Sequence, residues 1–535
     1  METILSRPSR PSRFSTEAAY DRRWWTLAVL CTSLVIVIVG NTTLNVAIPR
    51  LQQALHATNS QLQWIVDAYA LVFAGLLFTA GALGDRFGRK GALQIGLFVF
   101  AIASGIAAFV DSAGALITLR AVMGVGAALI MPSTLSILTN VFPAHERARA
   151  IAIWAGLSGA GAAVGPIASG WLLEHFWWGS VFLVNLPIIG VALVLGQVLV
   201  PPSRDPLAER LDPVGAGLSV VGLTSLVYAI IEAPAHGWLS LQTLSVFAAA
   251  AVVLGLFAAW ELRTRHPMLD LRYFTNPRFS VGSGAISLVF FAMFGMFFLL
   301  TQYFQLVLGY KTLEAGVRLL PVALTIMVVA PNSARLAARL GSRATVTTGM
   351  ILVASGFALI SRSGVATGYP YIVLSMMTVA AGMGLTIAPN TANIMSSVPL
   401  GKAGIGSAMN DTTREVGGAL GVAVLGSVLA SRYAAAMASF ASSLPAGVGK
   451  AATGSLGGAL IVAGQSGNSE LANAARQAYV SGMHLAVVIG AVVVLTAAAL
   501  VARFLPDDAP ATAEDAPARD VETVHVGMGR TAVEA

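Results

Sequence analysis

Fourteen long apolar runs dominate this sequence of 535 residues. A stretch of about 20 apolar residues is what an α-helix needs to cross the hydrocarbon core of a bilayer. The first run is too long for the apolar part of a signal peptide, and no clear cleavage site follows it, so we interpret it as a retained helix. The predicted membrane-spanning helices are 25–47, 62–83, 91–110, 114–138, 148–173, 177–200, 213–232, 241–260, 279–301, 312–331, 344–361, 369–393, 404–430 and 480–503.

The composition excludes several classes of protein. Hydrophobic residues make up 56% of the chain, 54 further residues are glycine, and only 11% are charged, whereas a soluble chain is typically about 25% charged. A soluble enzyme, a nucleic-acid-binding protein and a disordered chain are therefore excluded, and the net charge of +7 does not indicate a nucleic-acid partner. The single cysteine, Cys31, lies in an apolar run, where we expect an inert packing residue.

The positions of Lys and Arg predict the orientation in the membrane. With the N-terminus in the cytoplasm, the cytoplasmic segments hold 21 of the 32 basic residues, the outer segments hold six, and five lie within spans. Because basic residues accumulate in cytoplasmic loops, this orientation is favoured over its inverse. An even number of spans then predicts that both termini are cytoplasmic.

The segments between the spans are too short to hold a catalytic or nucleotide-binding domain, and the sequence has no G-x-x-x-x-G-K-[ST] phosphate-binding loop. We therefore expect a protein that is not an enzyme and needs no ATP, cofactor or metal. The Ala-, Gly- and Ser-rich segment 431–479 predicts a flexible or partly helical outer flap. The predicted organisation is a cytoplasmic tail (1–24), a six-helix half (25–200), an inserted helix pair with its cytoplasmic loops (201–278), a second six-helix half (279–503) and a disordered cytoplasmic tail (504–535).

A short internal repeat supports the division into halves. The loop after the second span, 84–90, aligns by its glycines with the loop after the tenth span, 338–343, so that Arg86 matches Arg339 and Phe87 matches Leu340. Both loops follow the second helix of a six-helix block if the seventh and eighth spans are an insertion. Two parallel six-helix halves are typical of transporters.

The loop after the second span carries a motif. Residues 81–90 read Gly-Ala-Leu-Gly-Asp-Arg-Phe-Gly-Arg-Lys, which closely resembles the loop motif of the major facilitator superfamily. Glycines allow a tight turn and close helix approach, and basic residues favour the anionic inner leaflet. The resemblance implies an all-α major facilitator fold and a conformational latch formed by Gly81, Asp85, Arg86, Gly88 and Arg89.

The fourth span carries an arginine, Arg120, in a segment that resembles the family's R-x-x-q-G-x-g motif, with Met123 where Gln is usual. An arginine within a span costs about 2.5–3.5 kcal/mol on insertion scales, which favours a functional or paired role. The alternative is that Arg120, near the outer end of the span, extends its side chain to the interface.

The fifth span reads Gly-Ala-Ala-Val-Gly-Pro-Ile-Ala-Ser-Gly over residues 161–170. It resembles the antiporter motif of the family, which marks exporters, with Ser169 in place of the usual Gly. Small residues allow close helix packing, and a proline removes one backbone hydrogen bond. The residues that match the motif are Gly161, Gly165, Pro166 and Gly170; ordinary small-residue packing is the alternative reading.

Further segments resemble the 14-helix drug:proton antiporter-2 branch of the superfamily. These are 45–49 at the end of the first span, 178–187 with its W-x-x-x-F-x-x-N-x-P pattern, and 266–271 after the eighth span. The resemblance covers roughly residues 20–505. The branch often has an acidic residue five positions before Asn45, but this chain has Gly40 there, which weakens any expectation that a cation is paired in the first span.

A proton-coupled carrier needs a titratable group at membrane depth. Asp67 in the second span is the first candidate, and it could pair with Arg120 because both lie in the outer half of the membrane; a structural carboxylate is the alternative. In the thirteenth span, Asp411, Arg414 and Glu415 are spaced for an intrahelical ion cluster, which favours gating or structure over proton transfer.

An exporter of varied apolar compounds needs an adaptable cavity wall, which aromatic and Met side chains provide. The ninth span is rich in both, although lipid contact or packing explains any single one of them. The candidate lining residues are Asn45, Trp64, Tyr69, Phe294, Phe298 and Gln302.

These features together predict a proton-coupled exporter of hydrophobic or amphipathic drugs in a bacterial cell membrane. Its expected partners are a small amphipathic substrate, protons and lipid, with no nucleic acid, and we expect a monomer. An exporter dedicated to one endogenous metabolite, lipid or antibiotic is one alternative. A transport-inactive membrane scaffold or sensor is another.

Overall fold

The computed structural model describes residues 20–204, 211–398, 403–442 and 445–506, and these are almost entirely α-helical. The helices up to the inserted pair are α1 (Arg23–Ala54), α2 (Asn59–Phe87), α3 (Arg89–Ala107), α4 (Ala113–Val141), α5 (Ala144–His175), α6 (Ser180–Leu183), α7 (Asn185–Leu199), α8 (Pro213–His236) and α9 (Leu241–Arg263). The helices that follow are α10 (Pro277–Gln302), α11 (Thr312–Arg318), α12 (Leu320–Leu340), α13 (Ser342–Ile360), α14 (Tyr369–Ser396), α15 (Ala403–Ala441), α16 (Ala446–Gly454), α17 (Leu456–Ser466) and α18 (Ser469–Phe504). The predicted disordered tail lies outside the described residues from position 507 onward.

Thirteen helical segments of the described chain are long and apolar enough to cross a membrane, which confirms the all-α membrane class. Each overlaps one of the predicted spans, with α6 and α7 forming one segment and α11 and α12 another. The remaining predicted span, 148–173, lies in α5, whose 32 residues reach about 48 Å at 1.5 Å per residue. The count of fourteen and the cytoplasmic location of both termini stay predictions.

Two glycines give the repeated loops the same backbone geometry. Gly88 separates α2 from α3 with φ 124°, and Gly341 separates α12 from α13 with φ 87°. Both values lie where side chains with a Cβ atom are strained. The structure thus makes the same sharp turn at the two positions that the repeat aligns.

The long helices pack in two groups. In the N-terminal bundle, α1–α7, the helix α2 packs on α4, and α1 packs on α5. In the C-terminal bundle, α10–α15 with α18, the helix α10 packs on α15, and α13 packs on α14 and α18. The inserted helices α8 and α9 pack on each other, and α8 also packs on both α2 and α15.

Hydrogen bonds between the two bundles lie at one end of the molecule within the described chain. We call it the far end, where α1 ends and α2 begins; the near end is where α1 begins and α18 ends. At the far end Gln63 bonds to α15, Gln305 Nε2 donates to the Val46 carbonyl (3.0 Å), and Leu313 N donates to Glu174 Oε1 (3.1 Å). The bundles are therefore joined at the far end.

The segment 431–479 is helical over most of its described length. Helix α15 continues to Ala441, α16 folds back against it, and α17 packs on α16 and α18. The Tyr433 hydroxyl donates to the carbonyl oxygens of Ala452 (3.0 Å) and Ser455 (3.1 Å), and Leu456 is buried. The described part of the predicted outer flap, 431–479, is therefore largely helical.

Candidate functional site

Asp67 lies two turns into α2 and is completely buried. Neither of its carboxylate oxygens has a hydrogen-bond partner among the described residues. A buried charge without a partner costs much free energy, so this position accommodates a protonated, neutral carboxyl more readily than an ionised one. Such a group can exchange a proton when water reaches it.

Arg120 in α4 is also completely buried, which argues against the alternative that its side chain extends to the interface. Its Nε donates to the Ile65 carbonyl (3.0 Å), its Nη1 donates to the Gly40 carbonyl (3.1 Å), and its guanidinium lies 4.4 Å from the centre of the Tyr69 ring. Backbone oxygens and a ring face thus hold the cation in place. The anticipated pair with Asp67 is not formed between these described side chains.

Gly40 explains why Arg120 contacts the backbone of α1. A Cβ atom at position 40 would lie 2.8 Å from Cζ of Phe100, which is closer than packed atoms allow. A side chain at position 40 would have to displace the Phe100 ring, and the acceptor that α1 offers to Arg120 is a backbone carbonyl.

The predicted ion cluster in α15 forms in part. Arg414 Nη1 lies 3.7 Å from Asp411 Oδ1, and its guanidinium is 5.4 Å from the centre of the Phe290 ring. Glu415 lies within electrostatic range of Arg120 and Tyr69 of the other bundle as well as of Arg414. Sequence spacing indicates only contacts within a helix, so it carried no signal of this link between the bundles.

The candidate lining residues divide into two kinds. Asn45 and Gln302 are buried, and each has a side-chain oxygen without a partner among the described residues. Tyr69 is packed under Arg120 and donates its hydroxyl hydrogen to the Val37 carbonyl (3.3 Å). The polar groups of this set that lack a partner among the described residues are therefore amide oxygens.

The aromatic candidates are held by helix packing. The Trp64 ring lies 6.1 Å from the Tyr228 ring of α8, so Trp64 faces the inserted pair and not the space between the bundles. Phe294 packs against Gly418, and Phe298 packs against Gly426. A lining role for Trp64 is thus not supported by its position.

The predicted latch holds the near end of the N-terminal bundle. Asp85 Oδ1 accepts from Arg89 Nε (2.6 Å) and from Ser136 Oγ (3.1 Å), which joins α2, α3 and α4. Gly81 approaches Pro132, and Gly88 makes the turn. Arg86 lies beside Phe87, 5.6 Å from the centre of its ring. No hydrogen bond between this loop and the C-terminal bundle occurs in the described part of the chain.

The antiporter motif brings α5 against two helices. A Cβ atom at Gly165 would collide with Thr42 Oγ1 of α1, and Gly161 packs against Ile38 of the same helix. On the other side, a Cβ atom at Gly170 would lie 2.6 Å from Leu313 Cα of α11.

The backbone of Pro166 leaves no room for a side chain at Gly316, which follows in the same helix α11. The small residues of the motif therefore form part of the far-end contact between the bundles.

Comparison with known proteins identifies the class to which this fold and site belong. The sequence matches the family model of the Major Facilitator Superfamily over residues 30–422. The chain belongs to the Major Facilitator Superfamily and is a multi-pass membrane protein.

Among curated proteins, it is 39% identical to the multidrug efflux pump LfrA of Mycolicibacterium smegmatis, over 91% of this chain and 97% of that protein. It is 34% identical to the tetracenomycin C resistance and export protein of Streptomyces glaucescens, over 79% of each chain. It is 35% identical to the methyl viologen resistance protein SmvA of Salmonella typhimurium, over 80% of this chain and 86% of that one.

Solved structures share the fold. A bacterial homologue of the human lysosomal transporter Spinster, in an inward-facing and unoccupied conformation, matches with a TM-score of 0.66 and 18% identity, covering 92% of this chain and 99% of that one. A peptide transporter of the POT type matches with a TM-score of 0.58 and 16% identity, covering 89% and 95%.

Proposed function

We propose that this protein is a proton-coupled exporter of hydrophobic or amphipathic drugs that works by alternating access in a bacterial cell membrane. It acts as a carrier and not as an enzyme, and it works as a monomer without a cofactor. One observation carries the proposal: the carboxyl of Asp67 is buried and has no hydrogen-bond partner among the described residues. It lies beside the contact between the two helix bundles, which hydrogen bonds join at the far end. Curated relatives named as efflux and resistance proteins support the export of drugs.

The packing supports a rocking mechanism. Two bundles related as parallel six-helix halves can pivot about a central site, so that the site opens alternately to each side of the membrane. With both termini in the cytoplasm, the far end is the outer end, and the observed contacts close the site to the outside. Substrate then enters from the cytoplasm or the inner leaflet.

Asp67 is the proposed proton carrier. With the far end open, water reaches Asp67 and the carboxyl takes up a proton from outside; with the far end closed its environment holds the neutral carboxyl, and the proton leaves towards the cytoplasm when substrate enters the site from that side. Arg120 and Glu415, which interact across the two bundles, transmit the change of charge. The three groups together link proton occupancy to the position of the bundles.

The substrate is proposed to bind between the bundles. Unpartnered amide oxygens at Asn45 and Gln302 offer hydrogen-bond acceptors, and aromatic side chains of α10, such as Phe290 beside Phe294, offer apolar surface. An apolar wall that carries a small number of polar groups suits varied amphipathic compounds. An exporter dedicated to one compound would use the same site but would accept a narrower range of substrates.

Reconstitution in liposomes tests the proposal. Purified protein in vesicles that contain a pH-sensitive dye is expected to move protons when an amphipathic substrate such as ethidium is added, and a protonophore is expected to abolish substrate accumulation. Failure to move either protons or substrate would favour the scaffold alternative. A panel of unrelated compounds separates a multidrug exporter from a dedicated one.

A further inference from the structure

Gln63 joins the two bundles through its side-chain amide. Its Nε2 donates to the carbonyl oxygens of Val422 (3.0 Å) and Ala423 (2.9 Å) in α15 and lies 3.3 Å from Ser427 Oγ. The side chain is completely buried. These hydrogen bonds cross from α2 to α15, so they exist only while the far end is closed.

Helix α15 has a glycine, Gly426, where the Gln63 amide packs against it. A Cβ atom at Gly426 would collide with Gln63 Nε2 and would lie 3.1 Å from Cε1 of Phe298. Glycine at this position therefore leaves space for the glutamine between α10 and α15. A larger residue at 426 would push the amide off its carbonyl partners.

Gln63 also lies one turn before Asp67 in α2. Residues four apart in a helix share a face, so the side chain that bonds to α15 and the buried carboxyl lie next to each other along the helix. Movement of α2 away from α15 would break the amide hydrogen bonds and expose the region of Asp67 together. The two events are thus coupled by the rigidity of one helix.

A second glutamine makes a similar bond in the opposite direction. Gln305, in the turn that extends α10, donates from Nε2 to the Val46 carbonyl of α1 (3.0 Å). Each bundle therefore contributes one amide that binds a backbone carbonyl of the other. Val422, Ala423 and Val46 are backbone acceptors, which no side-chain substitution in the partner helix removes.

We propose that Gln63 is the tether that holds the far end closed, that it releases the carbonyls of α15 whenever this end opens, and that Gln305 is a weaker second tether. The inference rests on the alternating-access mechanism proposed above. An amide tether suits a gate that cycles, because water replaces each lost partner when the gate opens and the net cost of release stays small.

Distance measurement by pulsed electron paramagnetic resonance tests the tether. Spin labels are attached at Ala54→Cys and Ala435→Cys, exposed positions at the far ends of α1 and α15, in a Cys31→Ala background that removes the native cysteine. Gln63→Leu removes the donor at similar volume, and Gln63→Met also removes it and keeps an unbranched side chain of similar length. Both are expected to raise the ratio of far-end-open to far-end-closed molecules about tenfold.

Three further variants make the test specific. Gly426→Ala leaves Gln63 in place but displaces its amide, and it is expected to have the same effect as Gln63→Leu. Gln305→Leu removes a single bond and is expected to have a smaller effect. Gln94→Leu is the matched control, because Gln94 Nε2 donates to the Leu193 carbonyl (3.2 Å) within the N-terminal bundle; it is expected to leave the distances unchanged.

The proposal is overturned if folded Gln63→Leu or Gln63→Met protein has the wild-type distance distribution, or if Gln94→Leu shifts it equally. Thermal unfolding in detergent establishes that each variant is folded, and Gln63→Met decides the question if the Leu variant does not fold. The measurement needs no substrate and no proton gradient. A failure of the tether is therefore distinguishable from a failure of proton coupling, which the transport assay reports.

Discussion

Arg120 contacts Gly40 through a hydrogen bond in which Nη1 lies 3.1 Å from the glycine carbonyl oxygen. Here the backbone supplies the acceptor, and the buried carboxyl is Asp67 on the neighbouring helix, with no partner among the described residues. The arginine and the acid are thus both retained in the site but are not paired in this conformation.

Asp67→Asn should abolish proton-coupled export and leave the protein folded. The amide has the size of the neutral carboxyl that the buried position accommodates, but it cannot carry a proton. Substrate-stimulated proton movement in proteoliposomes checks this expectation. Asp111→Asn, at an exposed position between α3 and α4, is the matched control and should transport like the wild type; full activity of the Asp67 variant would assign coupling to another group.

Gly40→Ala should destabilise the protein by about 1–3 kcal/mol, because the added methyl group collides with the Phe100 ring. Phe100→Leu in the same chain should recover part of this loss by making space. Unfolding of the single and double variants in detergent gives the interaction energy between the two positions. Equal effects of Gly40→Ala with and without Phe100→Leu would show that the ring is not the obstacle.

Gly170→Leu should favour a state in which the far end is open. The larger side chain cannot fit against the backbone of α11 at Leu313, so α5 and α11 must separate. Labelling of far-end cysteines by a membrane-impermeant thiol reagent should become faster than in the wild type. Gly190→Leu in α7 is the control, since nothing lies within 4 Å of its Cβ position; unchanged labelling of the Gly170 variant would contradict the far-end role of this motif.

Both termini should lie on the cytoplasmic side of the membrane. This follows from fourteen spans and from the excess of basic residues in the segments assigned to that side. Protease accessibility of tags at each end, measured in intact cells and in inverted vesicles, checks it. Termini on opposite sides would mean that α5 or another predicted span does not cross the bilayer.

Hydropathy alone predicted the approximate positions and the order of the long helices, because any segment that crosses lipid must be apolar for about 20 residues and must satisfy its backbone internally. It did not predict where they end. Helix α18 begins at Ser469, eleven residues before the predicted span, because a helix can continue into water once its apolar part has left the lipid. The sharp turn at Gly88 was predictable for another reason: a motif with glycine at that place needs a positive φ.

The sequence determined the membrane class, the helix order and the repeated glycine turns, and it singled out Asp67 and Arg120 among the charged residues that lie within apolar helices. Only the tertiary structure decided which groups the polar and aromatic side chains contact. These are the carbonyl of Gly40 for Arg120, the inserted pair for Trp64, and the α15 backbone for Gln63. The physical reason is that lipid-facing and protein-facing surfaces are both apolar, so the pattern along a span does not show which way a side chain points. That direction is set by how the helices pack, and contacts across two bundles join residues more than 300 positions apart.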